Sequence, residues 1–391
     1  MMYKIFLISF VLFSFNCNIL FGKEFFDQQK RGVNVFNYNV TQDLVKSAKK
    51  YNIEFIRFAI DRNSPLFIVN DKNDYKKLNL ENLKQLKKSL DLFEKENLPI
   101  ILTVLSLPGA LWKQHNKGKN DFRIYLNDKF VEQASEFWYD LIKELKDYKN
   151  IIGYNILNEP RYERFDNIEY CTDKHQDVLF KIYQKIIQKI RKIDKEKSII
   201  LDLSSDSSVD CFKHLKPIKE DEKIIYSFHM YEPMQYTFSH AKWNKDKNKY
   251  TKYPVLIDDK LYNAQALKKY LNVVANWQKK FNIPSNKILV GEFGANRKNK
   301  NIELYFKDLI DIFDQNKWHW AFYSFEEDGW NVMDYELGNS NLSNTYWNLL
   351  NFCEKVNFKN TKCYNINKKY YKKNKIFDIL LDKLDKKAHN I

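Results

Sequence analysis

Residues 151–160 read IIGYNILNEP, and residues 288–294 read ILVGEFG. Each stretch opens with a mainly apolar run, and each run leads into a glutamate, Glu159 in the first and Glu292 in the second. A short apolar run without a polar face predicts a strand that is buried on both sides, as in a parallel sheet covered by helices. The two stretches therefore predict buried strands that carry a carboxylate at the carboxyl end.

Six further runs of this kind bring the number of predicted strands to eight. The eight are Gly32–Phe36, Ile53–Ile60, Pro99–Leu105, Ile151–Leu157, Ser198–Leu203, Lys223–His229, Lys287–Gly291 and Trp318–Ser324. Helical patterns such as Asn82–Lys95 and Phe130–Leu145 separate several of them. This alternation predicts the α/β class, and eight units predict a (β/α)8 TIM barrel, a single catalytic domain with extended βα loops. A doubly wound sheet is disfavoured because no glycine-rich turn follows the first strand.

The two ends of the chain depart from the barrel pattern. Residues 1–22 join Lys4 to an apolar run, which predicts a signal peptide and a secreted or periplasmic protein, with lipid attachment at Cys17 as the alternative. Residues 366–391 form a basic tail with apolar residues at helical spacing. We expect this tail to pack as a helix on the catalytic domain, residues 23–365. Peripheral association with an anionic envelope is the alternative.

The cysteines suggest disulfide bonds. Beyond the predicted signal peptide the chain has Cys171, Cys211, Cys353 and Cys363. An even number in an exported chain favours pairing. The short spacing favours Cys353–Cys363, which leaves Cys171–Cys211, and four free thiols are the alternative. The cysteines and histidines do not have the spacing of a zinc site, so no metal is predicted.

The formal net charge of +15 does not identify a partner. Eight of the 65 basic residues are arginine and the others are lysine. Arginine is the residue whose planar fork suits phosphates and base edges, whereas lysine is a strongly hydrated point charge. A solvated lysine surface is therefore favoured, and no nucleic-acid partner is predicted. Aromatic residues make up 16% of the chain, which excludes disorder for most of its length.

Polar residues at the carboxyl ends of the predicted strands are the candidate site residues, because the active site of such a barrel lies there. Arg57, Glu159, His229 and Glu292 hold such positions. Two opposed carboxylates are the machinery of glycoside hydrolysis. One donates a proton and needs a raised pKa, while the other stays ionised and attacks the sugar. Arg57 is the cation available to keep one carboxylate ionised.

The sequence resembles glycoside hydrolase family 5, the cellulase family of retaining (β/α)8-barrel glycosidases. The resemblance rests on residues 152–160 and 289–294, with support from residues 31–34, 229–231 and 333–338, and it covers roughly Arg31 to Phe352. It implies that Glu159 is the general acid/base and Glu292 the nucleophile of a retaining double displacement. No cofactor and no metal are needed for this chemistry. It also implies hydrolysis of O-glycosidic bonds in a β-linked oligo- or polysaccharide, in the manner of an endoglucanase or cellulase.

The resemblance implies substrate-binding roles for further residues. Asn158 would bond the sugar 2-hydroxyl, Arg57 and Tyr231 would orient Glu292, and His229 would shape the site beside the acid/base. Sugar rings would stack on aromatic side chains, for which the candidates are Trp112, Tyr323 and Trp330.

Two positions depart from the family pattern. Many members carry a histidine where this chain has Leu105, and a tryptophan where it has Tyr323. Both changes affect substrate contacts more than the two-carboxylate mechanism. The alternatives are therefore a β-mannanase, a β-1,3-glucosidase or a glycolipid hydrolase, and, from another class, a non-catalytic carbohydrate-binding surface protein. We expect a monomer.

Overall fold

A computed structural model describes residues 25–61, 71, 73–162 and 171–385. The predicted signal peptide, Cys17 and the end of the tail lie outside these residues. Within these ranges the structure has ten strands: β1 Arg31–Val35, β2 Phe55–Ala59, β3 Ile100–Thr103, β4 Ile151–Asn155, β5 Ser198–Asp202, β6 Ile224–Met230, β7 Val255–Ile257, β8 Lys260–Tyr262, β9 Ile288–Phe293 and β10 His319–Phe322.

Eight of these strands form a closed parallel barrel in the order β1-β10-β9-β6-β5-β4-β3-β2, while β7 and β8 form a separate antiparallel hairpin. The predicted (β/α)8 TIM barrel is therefore confirmed, and all eight predicted strands have counterparts in it. The hairpin interrupts the long connection between β6 and β9.

Helices cover the outside of the barrel. The longer ones are Gln42–Lys50, Leu80–Lys95, Asp128–Leu145, Asp173–Ile190, Ala264–Phe281, Ile302–Gln315, Asn344–Lys355 and Lys375–Leu384. The shorter helical turns are Lys113–His115, Arg123–Leu126, Ser204–Ser207, Val209–Lys213, Met234–Thr237, Ser285–Lys287, Asn331–Met333, Tyr335–Leu337, Thr361–Cys363 and Lys368–Tyr370. Seven of the eight longer helices begin at an Asn, Thr or Ser whose side chain accepts a first-turn N–H, as Asn79 does from Asn82. These caps satisfy amides that the helix itself leaves unpaired.

The barrel interior changes character along its axis. Its amino end is filled by one apolar cluster made of Phe26, Phe55, Ile101, Ile152, Ile200, Ile225, Leu289 and Ala321. Residues two positions apart on a strand share a face. On β2 the residue after Phe55 on that face is Arg57, and on β5 the residue after Ile200 is Asp202; both are fully buried. An apolar base therefore supports a polar layer at the carboxyl ends of the strands.

The predicted tail packs on the barrel. On the helix Lys375–Leu384 the apolar face is buried, including Phe377 and Leu380. The Lys383 ammonium lies 2.5 Å from the Asp311 carboxylate, and the Lys383 carbonyl accepts a 2.6 Å hydrogen bond from Arg31. The face that would enter a membrane surface is thus already covered by the barrel.

Two disulfide bonds join Cys171 to Cys211 and Cys353 to Cys363. The favoured pairing is therefore confirmed over four free thiols. In the part of the chain that the structure describes, no helix has the length and apolar character needed to cross a membrane.

Candidate active site

Arg57 is the hub of the polar layer at the barrel mouth. Its guanidinium is fully buried and donates to Glu292 Oε1 at 2.6 Å, to Asn34 Oδ1 at 3.0 Å and to Asn158 Oδ1 at 2.6 Å. It also donates twice to Asn155 Oδ1, at 2.9 and 2.6 Å. A buried cation of this kind is stable because its donors are matched by acceptors, and five donors in a rigid fork suit arginine for the place.

Glu292 stands near the end of β9 and is held at both oxygens. Arg57 pairs with Oε1, and the Tyr231 hydroxyl donates to Oε2 at 2.8 Å. Burial, together with the charges of Glu292 and Glu159, raises the pKa of Tyr231 well above its usual value, so its hydroxyl keeps the proton that it donates. Gly291 lets β9 approach β6 here, since a Cβ would lie 2.5 Å from Ser227 Oγ. These two contacts fix the direction of the Glu292 carboxylate.

Glu159 lies four residues beyond the end of β4, with a positive φ of 45°. Its amide donates to Asp202 Oδ2 at 3.2 Å, which anchors this uncommon backbone conformation. Its Oε1 lies 2.9 Å from His229 Nδ1, and its Oε2 accepts from Arg161 at 3.1 Å. Both carboxylate oxygens are therefore engaged by basic side chains.

These neighbours decide the charge of Glu159. Burial raises its pKa, but the hydrogen bond and charge of His229, followed by those of Arg161, outweigh burial and lower the pKa to about 2. For His229, burial lowers the pKa, but the charges of Glu292, Asp202 and Glu159 raise it above 6.5. The expectation that the proton donor itself has a raised pKa is therefore wrong for Glu159, and the raised pKa in this pair belongs to His229.

The two carboxylates are close together. Glu159, His229 and Glu292 each place one oxygen or ring nitrogen within 4.8 Å of the others. Retaining glycosidases separate their carboxyl groups by about 5–5.5 Å, and inverting ones by about 6.5–9.5 Å. The spacing therefore matches the retaining class. The same three side chains are of the kinds that can coordinate a divalent cation. Their carboxylates, however, are already hydrogen-bonded to Arg57, Tyr231 and Arg161.

The site also contains residues that sequence reasoning missed. Three of them contact Arg57, namely Asn34, Asn155 and Asp202. The fourth, Arg161, contacts Glu159. Asp202 ends β5, and its Oδ2 lies 3.3 Å from Arg57 and 3.5 Å from His229 Nε2. The strand-end rule that identified Glu159 also points to Asp202. Asn34 lies inside β1, and Asn155, which ends β4, lies inside the longer predicted strand Ile151–Leu157, so the rule pointed to neither.

Aromatic side chains lie on two sides of the carboxylates. Tyr323 follows β10 and packs edge-on against Phe36 at 5.1 Å, with Trp330 at 5.6 Å on another side. Trp330 remains 38% exposed. Trp112 follows β3 and lines a small cavity of about 40 Å³ with Glu159 and Arg161. The structure thus brings all the predicted site residues to the barrel mouth.

The departure at Leu105 also has a structural account. Leu105 is buried, and its amide donates to Asp61 Oδ1 at 2.8 Å, while the Ser106 amide donates to Asp61 Oδ2 at 2.7 Å. Ser106 Oγ in turn accepts from the Trp112 amide at 2.9 Å. The position is used to fix the loop that carries Trp112, and on the same loop His115 Nδ1 lies 3.1 Å from Ser106 Oγ.

Solved structures share the fold. Structures of Cel5A from Thermotoga maritima, one in complex with cellobiose and one with mannotriose, each match 80% of this chain and 93% of that chain at a TM-score of 0.60 and 18% identity. Among curated proteins, endoglucanase C of Acetivibrio thermocellus is 21% identical over an alignment of 338 residues, and the match covers 78% of this chain and 88% of that protein. Cellodextrinase A of Ruminococcus flavefaciens is 22% identical over 207 residues, 53% of this chain and 56% of that protein.

A family model decides the assignment. The model for cellulases, glycosyl hydrolase family 5, matches residues 20–329. That range contains every strand of the barrel and both glutamates at its mouth. The chain therefore belongs to glycosyl hydrolase family 5, and it is a glycoside hydrolase.

Proposed function

We propose that this protein is a secreted endo-acting β-glucanase that cleaves its substrate by a retaining double displacement, with Glu292 as nucleophile and Glu159 as acid/base. The observation that carries the proposal is the placement of two carboxylates within 4.8 Å at the barrel mouth in unlike surroundings. Glu292 is paired with the buried Arg57, and Glu159 shares hydrogen bonds with His229 and Arg161. Such unlike surroundings are what separates a nucleophile from an acid/base.

In the first step a Glu292 oxygen attacks the anomeric carbon, and the bond from that carbon to the leaving sugar oxygen breaks. Arg57 and Tyr231 hold the attacking carboxylate in place. The leaving oxygen takes a proton from Glu159. Because His229 has the higher pKa, the resting pair holds this one proton on His229 Nδ1; it moves to Glu159 through the 2.9 Å hydrogen bond and from Glu159 to the leaving oxygen, which leaves His229 neutral.

In the second step a water oxygen attacks the same carbon from the side that the leaving sugar vacated. Its proton goes to Glu159, which is ionised at this stage, and passes through the 2.9 Å hydrogen bond to His229, which restores the resting pair. The ester bond to Glu292 breaks and its carboxylate is restored. Two inversions at one carbon give net retention. Asn158, held by Arg57 at 2.6 Å, is the residue we place on the sugar 2-hydroxyl.

The proposed substrate is a β-1,4-linked glucan. Neutral sugar rings bind to aromatic faces, and the mouth offers Tyr323 and Trp330 on one side and Trp112 on another. The relatives named endoglucanase and cellodextrinase, and the cellobiose complex of Cel5A, support a gluco-configured substrate. The mannotriose complex of Cel5A is the specific reason to keep β-mannan as the second candidate.

The proposed location is outside the cytoplasm. The predicted signal peptide and the two disulfide bonds support export, since such bonds persist in oxidising surroundings. A monomer without a nucleic-acid partner remains our expectation. Association of the tail with an envelope would have to use its lysines, because its apolar face packs on the barrel.

The test uses the purified chain on cellulose oligosaccharides, β-mannan, β-1,3-glucan and aryl β-glycosides. We expect cleavage inside cello-oligosaccharides with retained configuration, followed by NMR. Glu292→Gln should lower kcat by about 10³-fold or more, and Glu159→Gln by about 10²–10⁴-fold, least for aryl substrates with good leaving groups. Glu232→Gln, which alters a half-buried glutamate next to Tyr231 and outside the carboxylate pair, is the matched control. Full activity in Glu292→Gln, or binding without turnover on every substrate, would refute the proposal.

A further inference from the structure

The loop Glu327–Asp334 follows β10 and carries Trp330. The Trp330 ring is tilted against Tyr323 at a centroid distance of 5.6 Å, while 38% of its surface stays exposed. The Tyr323 amide donates to the carbonyl of Phe293, the residue after Glu292, at 2.9 Å. Tyr323 and Trp330 therefore form an aromatic pair beside the end of β9, the strand that carries the proposed nucleophile.

The start of this loop is organised by Glu327. The Glu327 side chain is fully buried, and its Oε1 accepts from the Trp330 amide at 3.2 Å and from the Gly329 amide at 3.4 Å. The carboxylate thus folds the backbone back on itself just before the ring. Moving the Glu327 backbone would move Trp330 with it.

Asn367 joins the two ends of the loop. It is fully buried, and its amide nitrogen donates to the Glu327 carbonyl and, at 2.7 Å, to Asp334 Oδ2. Arg297 holds the loop after Trp330, at the carbonyls of Asn331 and Val332. Asn367 thus contacts the loop three residues before Trp330 and four residues after it, so one side-chain amide closes the loop across its base.

Asn367 lies outside the part of the chain that the family model matches, which ends at residue 329. It sits in the segment after the Cys353–Cys363 disulfide, between two short helical turns. The segment that was expected to be a tail therefore supplies a buried contact to a loop of the cleft.

We propose that Asn367 is a positioning residue for substrate binding: it fixes both ends of the Glu327–Asp334 loop and so holds Trp330 beside Tyr323 as a platform for a pyranose ring. The ring is bound by its apolar C–H face, and the residue acts through Trp330 without touching the sugar. This inference rests on the proposed glycan substrate. It adds that the C-terminal segment is part of the substrate-binding apparatus.

The kinetic test compares wild type with Asn367→Leu, which keeps the size of the side chain and removes its donors. We expect KM for cellohexaose to rise by roughly 5–10-fold with kcat little changed, because binding common to ground and transition state is lost. Asn367→Ser, with one hydroxyl donor, should fall between the two. In a Trp330→Ala background, Asn367→Leu should add no further rise in KM, because the two residues act on one contact.

A readout independent of activity is hydrogen exchange of the peptide spanning residues 327–334, which should speed up in Asn367→Leu. The control is Asn374→Ala, which removes a helix cap and bonds to the carbonyls of Tyr335 and Glu336, and so lowers stability without releasing Glu327. Unchanged exchange in Asn367→Leu, or a KM rise equal to that of Asn374→Ala at matched stability, would overturn the inference. If wild type cleaves no glycan, the proposed function fails, and exchange still decides whether Asn367 holds the loop.

Discussion

Nδ1 of His229 lies 2.9 Å from Oε1 of Glu159, and the same nitrogen lies 3.8 Å from Oε2 of Glu292. One imidazole thus faces both carboxylates of the site. The charges of these carboxylates and of Asp202 raise its pKa against the effect of burial, and its hydrogen bond, followed by its charge, is the main reason why the pKa of Glu159 falls. Glu159 and His229 therefore share the proton that is available for the leaving group. This proton is lost at an apparent pKa of the pair, not of Glu159 alone.

The first prediction concerns the pH dependence of kcat/KM. In wild type the pair gives up its proton at the raised pKa of His229, so the alkaline limb should lie above pH 6.5. In His229→Asn the proton is held by a carboxyl group alone, so the limb should move to lower pH. The measurement is kcat/KM against pH on a cello-oligosaccharide. His214→Asn alters an exposed imidazole beside Asp173 and should leave the limb in place. An unmoved limb in His229→Asn would contradict the pair.

The second prediction has the opposite sign. Arg161 donates to Glu159 Oε2 at 3.1 Å, and its Nε lies 2.5 Å from Asp206 Oδ1. Its positive charge favours the carboxylate, so Arg161→Gln should raise the pKa of Glu159 and move the alkaline limb to higher pH. Arg123→Gln, which removes a cation paired with Asp121, is the control. A limb that moves to lower pH, or moves equally in the control, would rule out this role for Arg161.

The fold and the chemical centre follow from local signals in the sequence. Apolar runs predict the strands, and the rule that barrel sites lie at the carboxyl ends of strands picks out Arg57, Glu159 and Glu292. Asn34 and Asn155 escape this rule because they lie inside the predicted strands Gly32–Phe36 and Ile151–Leu157, and their contact with Arg57 depends on the register from β1 to β4. A one-residue change of register would turn them to the other face.

Other features depend on contacts between distant parts of the chain. Asn367 reaches Glu327 across 40 residues, and Arg31 reaches Lys383 across 352 residues. The pKa of Glu159 depends on a competition between burial and two cations whose distances the sequence does not contain. Composition and periodicity predict that the tail is amphipathic, but which surface it covers is decided by the shape of the barrel.

The third prediction concerns stability and Asp61. Burial raises the pKa of Asp61 from 3.8 to about 7, against the lowering effect of the amides of Leu105 and Ser106. Because the folded chain binds this proton more tightly than the unfolded chain, the contribution of Asp61 to stability is complete below pH 3.8 and is lost as pH rises to about 7. Asp61→Asn should lack this loss. The Tm of the variant minus the Tm of wild type should therefore become more positive as the pH rises from 4 to 7.

The control for Asp61 is the exposed Asp177→Asn, whose Tm should follow wild type across the same pH range. If the difference in Tm between Asp61→Asn and wild type stays constant from pH 4 to 7, Asp61 does not carry the raised pKa. The loop that Asp61 anchors also carries Trp112, so KM measured on the same variant reports whether loss of one acceptor disturbs the cleft.

The fourth prediction decides between the two readings of the C-terminal segment. Leu380 is fully buried on the helix Lys375–Leu384, and this helix packs against Ile302–Gln315 of the barrel. Leu380→Ala should therefore lower the free energy of unfolding by about 2–5 kcal/mol, the usual cost of emptying a leucine site in a core. Asp382→Ala, on the exposed side of the same helix, should change it by less than about 0.5 kcal/mol. Urea denaturation followed by tryptophan fluorescence measures both. A helix that instead serves an envelope surface would leave stability unchanged in Leu380→Ala and lose binding to anionic vesicles, because the leucine would then contact lipid and not the barrel.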